Sequence, residues 1–373
     1  MRKLVGVVSL LLCSALLFFG FGCGGGDDGG GGDDGSPAGW ANVGGTEVAP
    51  DRASSGQIAV SEGVTYAAFS DRAAGGKLTV MKSNGGNWVT VGQDGFSHGQ
   101  VNTANASLYV DGGTPYVAFD DSGADLRVMK LGGSNWVDVG TLGAISPHGK
   151  ITLMVSGGIP YVAYADNSGA YVMSFSSNTW SNIGGSVGAI GTSGEGVAFA
   201  ILNSKLYVLL NNGDHVSLKT YDGGVWTEVA QGPTGVTVAE DWDPKLVASG
   251  GSLYAIFRSG YTAPGAVVLK LEGGALQSVG ALGSISNGDS IEYVSGTVYG
   301  GVPYVAFDDE NRDSDPQPQA ATVKVFQNGA WSLFAGYPSP SDIEDTLLTV
   351  DPANGHLYLS YENGDGNMVV QVH

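Results

Sequence analysis

Seven tyrosines in register, a tryptophan landmark recurring between them and one N-terminal strand with no repeat of its own predict an all-β fold, a seven-bladed β-propeller. The tyrosines are Tyr66, Tyr116, Tyr161, Tyr207, Tyr254, Tyr304 and Tyr358, spaced 45–54 residues apart. Each is the second residue of a mostly apolar five-residue segment, Pro-Tyr-Val-Ala-Phe at Pro115–Phe119 and Pro303–Phe307 and a variant of it elsewhere. The second landmark is Trp88, Trp136, Trp180, Trp226, Leu276 (where the indole is lost) and Trp331, with a short strand running on from it. No stretch sustains a 3.6-residue apolar period, so helix should be nearly absent. Four antiparallel strands in a unit of about 40–50 residues form a blade, and one blade buries its apolar faces only against neighbours.

The N-terminus is read separately. Arg2 and Lys3 precede an apolar run from Leu4 to Phe19, the pattern of an export signal. Gly20-Phe21-Gly22-Cys23 then resembles the lipobox of bacterial lipoprotein signal peptides, with Gly20 standing where that motif usually carries leucine. The resemblance implies cleavage after residue 22 and acylation of Cys23, which attaches the protein to a membrane through lipid. Cys13 is the poorer candidate, because the apolar run continues past it and Leu12 is bulky for a cleavage site. The alternative is an uncleaved anchor, since about 20 apolar residues suffice to span a bilayer. Residues 23–39 follow as a Gly/Asp-rich tether that cannot bury a core. Its four aspartates have nothing to fix them as a metal site. The lipoprotein resemblance, with no Asp directly after Cys23, implies the outer membrane, facing the periplasm or the cell surface.

Residues 40–373 form the propeller. In the third repeat the expected strands are Ile151–Val155, Tyr161–Ala165, Tyr171–Phe175 and Trp180–Ile183, with Gly157-Gly158 and Ser177-Asn178 at the turns. The seventh repeat supplies Leu347–Val350, Leu357–Tyr361 and Met368–Val372 and then ends before any tryptophan strand. The missing strand is Trp40 to Gly44. Pairing it into the last blade closes the ring and removes the open edges.

The repeats resemble those of bacterial exported lipoprotein propellers with Pro-Tyr-Val-Ala-Phe and Gly-x-x-Trp signatures, and distantly those of sialidase- or lectin-type propellers. The Ser and Asp that anchor the sialidase Asp-box are not in place here. Neither the Gly pair of kelch repeats nor the Trp-Asp of WD40 repeats fits. The resemblance implies fold and export, and no activity.

A formal net charge of -20, from 36 acidic and 16 basic residues, opposes phosphate backbones and excludes nucleic acid as a partner. In propellers, side chains from different blades converge at the channel mouth on the face where the chain crosses between blades. The polar residues expected there include His98, His148, Lys150, Lys245, Arg258, Asp121 and Asp309. Lys150 and Lys245 stand near the starts of inner strands, where they could meet an anionic group. The recurrent acidic residues at second-strand exits, such as Asp71 and Asp121, are read first as turn starters, and alternatively as an acidic ring. His98 and His148 lack a third metal ligand, and Asn311, Asp313 and Asp315 lack the glycine and closing glutamate of a calcium loop. No cofactor or metal is expected. No catalytic motif is present, and the mature cysteine is taken by lipid. The expected function is a binding or interaction module for a glycan, peptide or partner protein. The alternative is a polysaccharide-acting hydrolase or lyase that uses loop carboxylates.

Overall fold

The structure, a computed structural model, describes residues 39–373 apart from 55, 122–124, 188–196, 240–243, 261–264, 287–290, 310–320 and 340–342, and apart from the side chains of Ala104 and His148. The export signal, Cys23, nearly all of the tether and the acidic loop holding Asn311, Asp313 and Asp315 therefore lie outside the described residues.

Seven four-stranded antiparallel sheets make up the fold, each one a blade. The innermost strands are Gly56–Ser61, Ser107–Asp111, His148–Ser156, Ala198–Leu202, Lys245–Ser249, Ile291–Tyr299 and Glu344–Val350, in blades 1 to 7. Each abuts its neighbours in order, and that of blade 1 meets that of blade 7, so the ring is closed. The expected strands of blade 3 are found with longer ends, as His148–Ser156, Ile159–Asp166, Gly169–Ser176 and Thr179–Asn182. The described helix is two three-residue 3-10 turns, Arg72–Ala74 and Thr103–Asn105.

Closure follows the expected route. Ala41 pairs with Val372 and Asn42 with Gln371, which makes the N-terminal segment the outer strand of blade 7. The Val43 amide extends the ladder by donating to the Val370 carbonyl at 2.8 Å.

The core lies at the seams between blades. Alternate strand residues face opposite sides of a sheet, so each blade packs one set of side chains forward and one back. The buried residues divide into seven clusters, one per seam. The last residue of the repeat segment, as Phe69, Phe119, Phe257 and Phe307, is wholly buried in them.

The tryptophans latch blade to blade. Trp88, Trp136, Trp180, Trp226 and Trp331 donate through Nε1 to the carbonyls of Val43, Val91, Val139, Ile183 and Val279 of the preceding blade, at 2.5–2.9 Å. The acceptor always lies three residues beyond the preceding blade's own landmark, and a glycine follows it. Those glycines, Gly44, Gly92, Gly140, Gly184 and Gly280, all have φ between +65° and +81°. A Cβ on Gly92 would stand 2.9 Å from the Trp136 ring, so both the backbone angle and the space demand glycine. Two seams depart from the rule together. Between blades 4 and 5, Ala230 replaces the glycine and Leu276 the tryptophan. Between blades 6 and 7, Ala335 replaces it at φ +56°, and the buried Nε1 of Trp40 meets no acceptor among the described residues.

Candidate binding site in the central channel

The innermost strands of all seven blades enclose a channel of about 750 Å³, within the range of small-ligand pockets. Its wall is partly structural. In five blades the inner-strand residue opposite the second residue after the repeat tyrosine is polar: Gln57, Ser107, Thr152, Lys245 and Ser295. Each bonds across to the next blade. Gln57 Nε2 donates to the Thr103 carbonyl at 3.0 Å, and Ser107 Oγ accepts from the Leu153 amide at 3.0 Å. Thr152 Oγ1 donates to the Val197 carbonyl at 3.1 Å, and Ser295 Oγ accepts from the Leu348 amide at 2.9 Å. Lys245 Nζ donates to Ser295 Oγ at 2.8 Å and to the Leu348 carbonyl at 3.3 Å, tying blade 5 to blades 6 and 7.

The inner strand of blade 3 shifts register between His148 and Thr152, and blades 6 and 7 share that irregularity. Their inner strands bulge between Glu292 and Ser295 and between Glu344 and Leu347. Tyr293 and Asp345 sit in those bulges with φ of +47° and +56°, left-handed angles that residues other than glycine adopt at a cost. A bulge re-aims side chains, and Glu292, Tyr293 and Asp345 all line the channel. Burial, followed by the fields of Asp345, Glu344, Glu292 and Asp308, pushes the Tyr293 phenol up to about 12. Tyr293 thus stays a neutral hydrogen-bond donor throughout the physiological range. The Glu362 carboxyl is raised as well, by burial first and then by Asp345 and Glu344, against the opposing charge of Arg72.

Of the residues singled out from sequence, Lys150 and Lys245 line the channel. Asp121, Arg258 and Asp309 stand instead at or next to the ends of second strands, and His98 in the crossing from blade 1 to blade 2. Asp121 is buried and accepts from the amides of His98 and Gly99 at 3.3 and 2.9 Å and from Arg127 at 3.3 Å. It thereby pins the crossing between blades 1 and 2. The His98 side chain is exposed beside Arg127. Arg258 Nε donates to the Ile291 carbonyl at 2.8 Å, and Asp309 pairs with Ile291 across blade 6. His148 opens the inner strand of blade 3, opposite Ala165; its side chain lies outside the described residues. Among the described residues no group of three or more His, Cys, Asp or Glu is placed to hold a metal ion.

The exit aspartates start turns and anchor crossings. Asp71 and Asp166 accept from the amides two residues on, Ala73 and Ser168, at 2.9 and 2.8 Å. Asp71 also holds Arg52, in the crossing from blade 7, and Thr79. The channel residues that sequence reasoning missed are Glu292, Tyr293 and Asp345. Each is the second or third residue of its inner strand, and nothing in the residue types marked it as facing the channel.

No family model matches the sequence, and no curated protein is similar to it in sequence. Solved structures are similar in fold. Polysaccharide lyase Uly1 aligns at 11% identity with a TM-score of 0.53, over 88% of this chain and 91% of that one. A puromycin-hydrolyzing peptidase of Mycobacterium tuberculosis aligns at 12% identity with a TM-score of 0.52, over 88% of this chain and 55% of that one. The six-bladed fucose-binding lectin of Aleuria aurantia aligns at 17% identity with a TM-score of 0.49, over 80% of this chain and 99% of that one. At such identities the likeness shows the propeller alone.

Proposed function

We propose that the protein is an outer-membrane lipoprotein, anchored through Cys23, whose propeller binds a glycan at the mouth of the central channel. The observation that carries the glycan reading is the channel itself, with its volume of about 750 Å³ and with tyrosines, carboxylates and two lysines contributed by several blades. Sugars offer apolar ring faces and many hydroxyls. Tyr109 and Tyr293 can meet the faces, while Glu292 and Asp345 accept from hydroxyls and the neutral Tyr293 phenol donates. A polysaccharide is the substrate class of one fold neighbour, Uly1, which is consistent with this reading.

A glycan array probed with the compact unit Gly35–His373 tests it. Hits are expected, and Glu292→Gln should weaken them by roughly tenfold, the loss of one hydrogen bond to a charged group. An array without hits, or hits indifferent to channel substitutions, would move the function elsewhere. The second reading, a polysaccharide hydrolase or lyase, is favoured by the presence of two carboxylates, Glu292 and Asp345, in the same cavity. Product release from any array-positive polysaccharide would select it. For the anchor, Cys23→Ser should leave an unprocessed precursor that takes up no lipid label; a labelled product of mature size would overturn the assignment.

A further inference from the structure

Charge is unevenly distributed on the channel wall. Lys150 belongs to the inner strand of blade 3, whereas Glu292 and Asp345 belong to those of blades 6 and 7. In a closed ring of seven, the seam between blades 6 and 7 stands opposite blade 3. The cation and the carboxylates therefore occupy facing walls. Lys245, from blade 5, leans toward the acidic side, where its ammonium is held by Ser295 and the Leu348 carbonyl. Tyr293 and Glu362 both hold their protons more tightly than usual, through burial first and then through the carboxylates around them.

We propose that the channel takes a zwitterionic saccharide, with an ammonium group toward Glu292 and Asp345 and an anionic group toward Lys150. This rests on the glycan reading above. A purely anionic sugar of the same size would set part of its charge against the acidic wall. A purely cationic one would leave Lys150 facing a like charge. A dipolar sugar meets complementary charge on both sides, and in a cavity such matching separates partners by repulsion as well as by attraction. The neutral Tyr293 phenol adds a donor on the acidic side without changing the charge balance. Backbone geometry accompanies the assignment: Tyr293 and Asp345 stand at left-handed angles in bulges, which re-aim side chains, and both line the channel.

Four sugars of nearly the same shape separate the outcomes: glucosamine 6-phosphate, glucosamine, glucose 6-phosphate and glucose. Titration calorimetry with the full-length protein in detergent, at mildly acidic pH where the amine is protonated, gives their affinities. Glucosamine 6-phosphate should bind at least about tenfold more tightly than either singly charged sugar, the effect of one further charge-assisted contact. Lys150→Ala should abolish the advantage conferred by the phosphate and leave that of the amine, and Glu292→Gln should do the reverse. Melting curves show that each variant is folded. Equal affinity for all four sugars, or for the zwitterion and either singly charged sugar, overturns the proposal and leaves the glycan site standing. A protein that is positive on the array but binds none of the four also loses this proposal alone. A protein negative on both loses the glycan reading as well.

Discussion

Lys245 and Asp71 show how polar residues near the crossing face are bound into the scaffold. Lys245 ties three blades together, so Lys245→Ala should lower unfolding free energy by about 1–3 kcal/mol, because it leaves Ser295 and the Leu348 carbonyl short of a donor. Urea denaturation measures this, and an unchanged midpoint would mean that the lysine serves a ligand only. Asp71 is fully buried and held by Arg52, Thr79 and the Ala73 amide. Burial raises the pKa of its carboxyl, but these partners outweigh that effect and hold it below the ordinary value. A carboxyl with a lowered folded-state pKa contributes stability that is present above the unfolded value and is lost as pH falls through the folded one. Arg52→Ala should therefore cost about 1–3 kcal/mol at neutral pH, because it leaves the buried Asp71 carboxylate without its partly exposed cationic partner. The difference from the parent should narrow once pH drops below the ordinary aspartate range. A gap that is the same at neutral and strongly acidic pH would assign the arginine a packing role instead.

At the scale of elements, the latches explain why the repeat reads as it does. The tryptophan and the glycine four residues beyond the preceding landmark are two halves of one contact: the 4–5 seam loses both, and the 6–7 seam loses the glycine and, with it, the hydrogen bond of the retained Trp40. Gly92→Ala should destabilise by more than the roughly 1 kcal/mol gained from a glycine-to-alanine change in ordinary backbone, and with the opposite sign, since φ is +80° and the Trp136 ring blocks the Cβ. Adding Trp136→Leu should remove much of that penalty. Additive losses in the double-mutant cycle would show that the two residues are uncoupled. The strands, the blade count and the closing strand were legible because alternation and turn glycines repeat seven times. Asp71 was legible as a turn starter because Asp caps turns locally. The acidic wall was not legible. Left-handed angles at Tyr293 and Asp345 leave no mark in the residue types, and the cross-blade bonding of Lys245 depends on partners 50 and 103 residues away.

The whole molecule depends on a seam made by its two ends. Trp40 is buried among Ala306, Val323, Leu348 and Leu359 at the 6–7 seam, with Phe334 and His373 packed against its ring. Three residues on, the Val43 carbonyl receives Trp88 at the 7–1 seam, and its amide continues the ladder to Val370. Deleting the chain up to Gly45 would thus open two seams, exposing the edge of Met368–Val372 and removing the acceptor for Trp88. Loss of one large buried aromatic alone costs about 3–5 kcal/mol. A chain beginning at Thr46 should therefore unfold at least that much more easily, although the Val48 amide still reaches the Met368 carbonyl at 2.9 Å. Trp40→Phe separates the contributions. It keeps the closing strand and part of the ring packing, and loses the remainder of the indole with an Nε1 that has no acceptor among the described residues, so it should cost less than the deletion. If the phenylalanine variant were as unstable as the truncated chain, stability would reside in the indole and not in the closing strand.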